Sequence, residues 1–335
     1  MKKYNLFAIL ILITFIANSQ NSKDNFYGMW ILDIDVDNNT VGWLDVNTKN
    51  GFLDSSLLWR WGSVDKVSNV YFIDENNLVV TQTRERTVYK EGNKEFTHAI
   101  TEIYNFKRKG DQLEGILIVP ERNGMGIKTT KFKGWKLSDV PNTPDLSKIK
   151  YGKTQSLFNG KDLKGWELID PKQVNGFKVA NGVLVNNPVQ IKGKKVHYGN
   201  IRTVQKFKDF NLKLDVNVPK HSNSGIYLRG MYEIQVFDSY GKELDSHNMG
   251  ALYSRITPSQ SAEKPAGEWQ TMDITLYKRH LTVILNGKTI INNQPVFGPT
   301  GGAIQSDVFK SGPIYIQGDH GKISYKNIML TPIVE

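Results

Sequence analysis

Apolar residues along this chain come in short runs in which apolar and polar positions alternate. NLKLDVNV (Asn211–Val218), YEIQVF (Tyr232–Phe237), TMDITLY (Thr271–Tyr277) and LTVILN (Leu281–Asn286) all read this way. A period of two marks a half-buried strand, because successive side chains leave opposite faces. Gly, Asn and Pro punctuate the runs. Asn181-Gly182 and Asn286-Gly287 each separate two runs, which is a strong hairpin signal. No helical period extends past about ten residues, well short of a typical helix pattern. The pattern predicts an all-β protein.

The runs fall into two sets. Residues 24–137, from FYGMWILDIDV to KFKGWKL, predict a smaller antiparallel β-domain. Within it Trp59 and Trp61 stand two apart and share a face in a strand. Packing in the core is the expected role for that pair, and stacking on a sugar is the alternative. Residues 138–154, SDVPNTPDLSKIKYGKT, carry two prolines and little apolar content, and predict a linker. Residues 155–333 predict a two-sheet jelly-roll sandwich. Residues 241–266 interrupt it with a long irregular stretch, and loops of that length usually serve a function. The apolar island GALY inside it, Gly250–Tyr253, predicts an ordered loop.

Composition adds the compartment. Residues 1–20 have a basic start (Lys2, Lys3), an apolar run from Leu6 to Ile16, and small residues at Ala17 and Ser19. That order predicts a secretory signal peptide cleaved near residues 19–20. The expected location is the bacterial periplasm or the medium. The chain has no cysteine, so neither a disulfide nor a lipid anchor on cysteine is available. The formal charge is +10, with Lys and Arg dispersed among acids. No basic stripe with interleaved aromatics stands out, so a nucleic-acid partner is not expected. No later apolar run reaches the length of a membrane span. The sequence leaves the oligomeric state open.

One stretch carries more chemistry than a strand needs. SNSGIYLRGMYEIQVFDSYG, Ser222–Gly241, reads as two strands about a turn. Alternation puts Tyr227 with Arg229 on one face of the first, and Glu233 with Gln235 on one face of the second. If the strands pair, these four line one concave surface. A one-residue bulge would bring Asp238 beside them. A second cluster is GDHG, where Asp319 and His320 stand between the strand segments YIQ and ISYKN, with Gln317 just before.

These segments resemble the 3-keto-disaccharide hydrolase family. The matching motifs are SLFNGKDLKGW (Ser156–Trp166), NSGIYLRGMYEIQVFDSYG (Asn223–Gly241) and GALY (Gly250–Tyr253). They continue through GEWQTMDI (Gly267–Ile274), LNGK (Leu285–Lys288) and GPIYIQGDHGKISYKNI (Gly312–Ile328). The resemblance implies a concanavalin A-like jelly roll, secreted by glycan-degrading bacteria, that cleaves glycosides already oxidised at C3. The N-terminal domain is outside it. Laminarinase-type jelly rolls carry Glu-x-Asp-x-x-Glu, whereas this chain reads Glu233-x-Gln235-x-x-Asp238. The middle carboxylate becomes an amide and the last is shortened, which departs from the two carboxyls at a defined separation that a retaining glycosidase needs.

A C3 ketone acidifies the C2 proton, and that permits elimination and hydration instead. Under this reading Glu233 or Asp238 is the base, Arg229 stabilises the enolate and His320 exchanges protons. Tyr227, Gln235, Tyr253, Gln317 and Asp319 bind the sugar. No cofactor is established by the sequence, and a divalent metal is the open candidate. Asp245, His247, Asp319 and His320 offer donors for a divalent metal, without a fixed ligand spacing. The alternative function is a non-catalytic carbohydrate-binding protein of the same fold. A structural envelope protein is a third.

Overall fold

The computed structural model describes residues 26–37, 40–92 and 94–334. Residues 1–20, read above as a signal peptide, lie outside them. Strands supply nearly all the regular structure, and the described residues add one short 3-10 turn, Leu146–Lys148. The all-β expectation is met. The chain divides into two compact units, Met1–Arg60 with Val64–Ser138, and Trp61–Ser63 with Asp139–Glu335.

The first unit is one antiparallel sheet. Its order is Asp65–Lys66, Phe52–Trp59, Val41–Lys49, Gly28–Ile34, Ile127–Lys136, Gln112–Pro120, Lys94–Lys109, Asn77–Glu91 and Asn69–Phe72. Most neighbours in space are neighbours in sequence, as short turns dictate. Trp30, Leu32, Leu44, Tyr104, Phe106 and Phe132 gather in its core. The Trp30 indole donates to the Phe26 carbonyl at 2.7 Å, so its one polar atom is satisfied. Trp59 packs edge-on against Tyr104 and Phe132, with ring centroids 5.2 and 5.6 Å away. Trp61 does not share that face. The strand ends at Trp59, Arg60 turns the chain with φ +70°, and Trp61 is 53% exposed.

The second unit is a jelly-roll sandwich of two main sheets. One has the order Phe177–Ala180, Val183–Asn186, Ile323–Val334, Phe210–Asn217, Trp269–Tyr277, His280–Leu285 and Lys288–Pro295. The other has the order Trp166–Leu168, Ile201–Thr203, Tyr315–Ile316, Asn223–Leu228 and Tyr232–Phe237. Ile226, Ile234, Val236, Ile274 and Val283 are fully buried. Each such side chain contributes roughly 1.5–3 kcal/mol by leaving water.

Turn chemistry fixes the registers. Asn181-Gly182 and Asn286-Gly287 form the expected two-residue turns, with positive φ at all four residues. Of residues 138–154, expected as a linker, those from Asp139 on belong to the second unit and are tied to it. Arg279 donates to the Asp139 carbonyl at 3.1 Å and Asn293 to the Pro144 carbonyl at 2.9 Å. Lys150 and Tyr151 pair with Val334 and Ile333. The island Gly250–Tyr253 is ordered, and it runs along the outer edge of Tyr232–Phe237. The Gln235 N–H donates to the Ala251 carbonyl at 3.0 Å, Gly250 N–H to Gln235 at 2.8 Å, and Tyr253 N–H to Glu233 at 3.0 Å.

Candidate active site

The strands Asn223–Leu228 and Tyr232–Phe237 pair with Tyr227 opposite Glu233 and Gly225 opposite Gln235. Tyr315 lies opposite Tyr227 on the other side. These side chains close over a cavity of about 190 Å³. Asn200, Asn223, Gln317, Asp319, His320 and Tyr253 add polar groups to its lining, and Trp61, Gly62, Gly301 and Gly302 line it as well. The expected concave surface is therefore a pocket: Glu233 is only 4% exposed, and Tyr227 and Gln235 are buried.

Gly225 makes room for Glu233. A Cβ there would collide with the Glu233 carboxyl, so no other residue fits without displacing it. The Tyr227 hydroxyl is 2.7 Å from Glu233 Oε2, 2.6 Å from the Gly301 carbonyl oxygen and 3.1 Å from Gln317 Nε2. One O–H cannot serve two acceptors. A carbonyl only accepts, so when Tyr227 donates to Gly301, Glu233 must keep its own proton and donate to Tyr227. When Glu233 ionises, the Tyr227 proton turns toward it. Thr300 secures Gly301: its N–H and hydroxyl both donate to the Met231 carbonyl, and its hydroxyl accepts from Glu233 N–H at 2.9 Å. Tyr315 stacks on Tyr227, centroids 3.9 Å apart, which fixes the phenol plane.

Charge follows from burial. Glu233 is pushed up to about 8, mainly because burial penalises the anion; the Tyr227 hydrogen bond and the His320 charge work the other way. His320 Nδ1 lies 2.7 Å from Asp319 Oδ1. That hydrogen bond raises the imidazole above its ordinary value, and the charges of Asp319 and Glu233 add to it. Burial works to raise Asp319, but the His320 bond and charge outweigh it and hold the carboxyl low. A neutral carboxyl and a readily protonated imidazole thus share one cavity, a pairing typical of acid–base sites. Two further atoms await partners: Gln235 Oε1 and Gln317 Oε1 are buried without a hydrogen bond. Unpaired acceptors of this kind cost about 1–3 kcal/mol each, which a hydroxylated ligand would relieve.

Two predicted site residues stand elsewhere. Arg229 is not on the Tyr227 face, because it begins the turn: Arg229 and Gly230 have φ +57° and +66°, and Met231 N–H donates to Leu228 at 3.0 Å. Leaving the strand ends the alternation. The Arg229 guanidinium, 1% exposed by residue, donates to the Lys310 carbonyl at 3.1 Å and also bonds the Val308 carbonyl. Asp238 lies past the strand end at Phe237 and accepts from the His221 N–H at 2.8 Å. No bulge returns it to Glu233.

The four candidate metal ligands form two separate pairs, Asp245 with His247 and Asp319 with His320. Among the described residues no three His, Asp or Glu converge as a metal site would need. A larger recess, about 970 Å³, belongs to the first unit and is lined by Asp33, Lys107, Lys131 and Phe132 among others. The perturbed acid and base are in the smaller cavity, and that makes it the functional candidate.

Tyr315 was legible in principle: YIQ puts Tyr315 and Gln317 on one face. Trp61, Asn200 and Gly301 carry no such signal, since they reach the site only through folding.

A model of the family described as 3-keto-alpha-glucoside-1,2-lyase-like domain matches residues 153–331. Two solved structures of candidate glycosyl hydrolases from Parabacteroides distasonis are similar to this chain. One is 30% identical over 58% of this chain and 93% of that one, with a TM-score of 0.44. The other is 22% identical over 54% and 94%, with a TM-score of 0.43. No curated protein matches the chain. The family match spans more than half of the sequence and contains every strand that carries a polar group into the cavity, and so the chain belongs to the 3-keto-α-glucoside-1,2-lyase-like family.

Proposed function

We propose that this protein cleaves the glycosidic bond of 3-keto-glycosides by elimination and hydration. The observation that carries the reading is Glu233, a buried carboxyl with a raised proton affinity inside a sugar-sized polar cavity. A base of that strength suits a carbon acid better than an ordinary carboxylate would. Ionised Glu233 takes the C2 proton, and the electron pair passes into the C3 carbonyl. The enolate then returns the pair, the C1–O bond breaks, and the leaving oxygen takes a proton from the His320 imidazolium. Water adds at C1 of the enone and C2 regains a proton, giving net hydrolysis. Tyr227 turns its O–H to the ionised Glu233 and holds it in place. Gln235 and Gln317 accept from ring hydroxyls. Glu233 and His320 are the groups proposed to act on the reacting atoms. The family match supports the substrate class, and the laminarinase-type motif, altered here to Gln235 and a shorter Asp238 bound to the His221 N–H, disfavours an ordinary retaining mechanism.

Proton NMR in D₂O tests this, with methyl α-glucoside oxidised at C3 as substrate. The expected outcome is release of methanol with deuterium at C2 of the sugar, read before the free ketose exchanges on its own. Absence of turnover would overturn the substrate class. Turnover with protium retained at C2 would overturn the elimination route.

Action outside the cytoplasm belongs to the same proposal. Its support is the basic start and apolar run of residues 1–20. Cell fractionation with N-terminal sequencing checks it, and an intact Met1 on the native protein would reject it.

A further inference from the structure

Trp61 lies outside the segment that matches the family, yet it stands at the cavity that holds Glu233. It belongs to Trp61–Ser63, a three-residue piece of the second unit supplied from early in the chain. Three features hold that piece in place. First, Arg60 and Gly62 both adopt φ +70°, so the indole sits at the apex of a sharp bend. Second, the Gly62 backbone packs so closely on Gly301 that a Cβ at 301 would not fit. Gly301 is the residue whose carbonyl takes the Tyr227 hydrogen bond. Third, Ser63 Oγ lies 2.8 Å from His247 Nε2 and 3.3 Å from the Tyr253 hydroxyl, and His247 Nδ1 bonds Asp245. The His247 ring in turn meets Tyr253 edge-on at 4.9 Å. Trp61 itself is 53% exposed, so core packing does not account for this anchoring.

The cavity sets the size of what enters. Its volume of about 190 Å³ equals roughly six waters at ~30 Å³ each, room for a single sugar ring. The second ring of a disaccharide must then lie outside it, and Trp61 offers the flat apolar surface at that place.

We propose that Trp61 is the platform for the leaving-group side of the substrate, stacking on a second ring and favouring glycosides with a ring aglycone over those of small alcohols. The inference rests on the 3-keto-glycoside reading above and deepens it. Ser63, His247 and Asp245 act as positioning residues that hold the platform, with no covalent step.

The test compares two ligands, both oxidised at C3 of the glucose ring that enters the cavity: maltose oxidised on its non-reducing ring, and methyl α-glucoside. Affinities are measured by titration calorimetry on the full chain carrying Glu233→Gln, so that neither ligand is consumed. Rates are measured on the chain with Glu233 intact. Trp61→Ala is expected to weaken the disaccharide about 4- to 12-fold, the upper part of the range for one aromatic stacking contact, and to leave the methyl glycoside within about twofold. Trp61→Phe should recover most of the loss. The unchanged methyl glycoside also shows that the variant is folded. Equal weakening of both ligands, or no weakening of either, overturns the proposal. So does a disaccharide that binds no more tightly than the methyl glycoside, or a failure of both to bind. Failure of the function reading shows separately, as no turnover of either ligand by the protein with Glu233 and Trp61 intact.

Discussion

Tyr227 and Glu233 face each other across a hairpin, and the phenol oxygen lies 2.7 Å from the carboxyl. The two share one hydrogen-bonding problem, because the Gly301 carbonyl competes for the Tyr227 proton at 2.6 Å. Removing either partner therefore acts on the other. Glu233→Gln keeps the shape but cannot take a proton. Its turnover of a 3-keto-glycoside should fall by about 10²- to 10⁴-fold, the usual worth of a general base. Tyr227→Phe removes a bond that holds the Glu233 proton affinity down. The ascending limb of the pH–rate profile should move to higher pH, by up to about one unit for a bond worth ~1 kcal/mol. Steady-state kinetics across pH 6–10 would show both, and a limb that stayed put would remove Tyr227 from the acid–base apparatus.

The pH profile carries a second expectation. Activity needs Glu233 ionised and His320 protonated. Glu233 releases its proton near pH 8, and the Asp319 bond extends the range over which His320 stays charged. The rate should pass through a maximum, rising as Glu233 ionises and falling as His320 loses its proton, with both limbs belonging to the coupled pair. His320→Asn should flatten the descending limb as well as lower the rate. A flat profile between pH 6 and 9 contradicts the assignment.

Stability should show the same carboxyl with the opposite sense. Folding raises the Glu233 value from 4.5 to about 8, so between those values the native state holds a proton that the unfolded chain has lost. Stability then declines as pH rises. From pH 5 to 8 the loss is on the order of 3 kcal/mol at this one site. Glu233→Gln has no such loss. Its melting temperature relative to the unmutated protein should therefore be higher at pH 8 than at pH 5, measured by calorimetry. A difference that does not depend on pH would show that Glu233 is no more protonated in the folded state than in the unfolded one.

Arg229 leads to a prediction about stability. Its guanidinium bonds the carbonyls of Val308 and Lys310, and Gln305 Nε2 donates to its own carbonyl at 2.7 Å. Arg229→Met leaves buried carbonyls unpaired and should cost about 2–4 kcal/mol. Thermal unfolding should show that loss. A variant as stable as the unmutated protein, yet inactive, would return Arg229 to the chemistry.

Period and turn residues made much of this legible beforehand. The alternation in YEIQVF put Glu233 and Gln235 together, and the Asn-Gly pairs placed two hairpin turns. The same rule misplaced Arg229, because alternation holds only while the chain stays extended, and Arg-Gly is where it turns. Asp238 failed for a related reason, since it lies one residue past the strand. Burial was the larger omission. A strand reads equally well as an outer wall or a pocket wall, and only the stacking of Tyr315 and the passage of residues 300–302 decide it. Trp61 was paired with Trp59 on sequence spacing, but a left-handed residue between them sends the two indoles to different tasks.

The strand that carries Glu233 ends its sheet, and Gly250–Tyr253 occupies the outer side of that strand through three main-chain bonds. An open edge at this place would offer its amides and carbonyls to any other extended chain, the usual route to cross-molecular strand addition. Here those groups are already spoken for by the chain's own loop. Shortening the 241–266 loop would do more than alter one wall of the cavity. It would uncover a sticky seam beside Glu233, and the first symptom to look for is aggregation on storage.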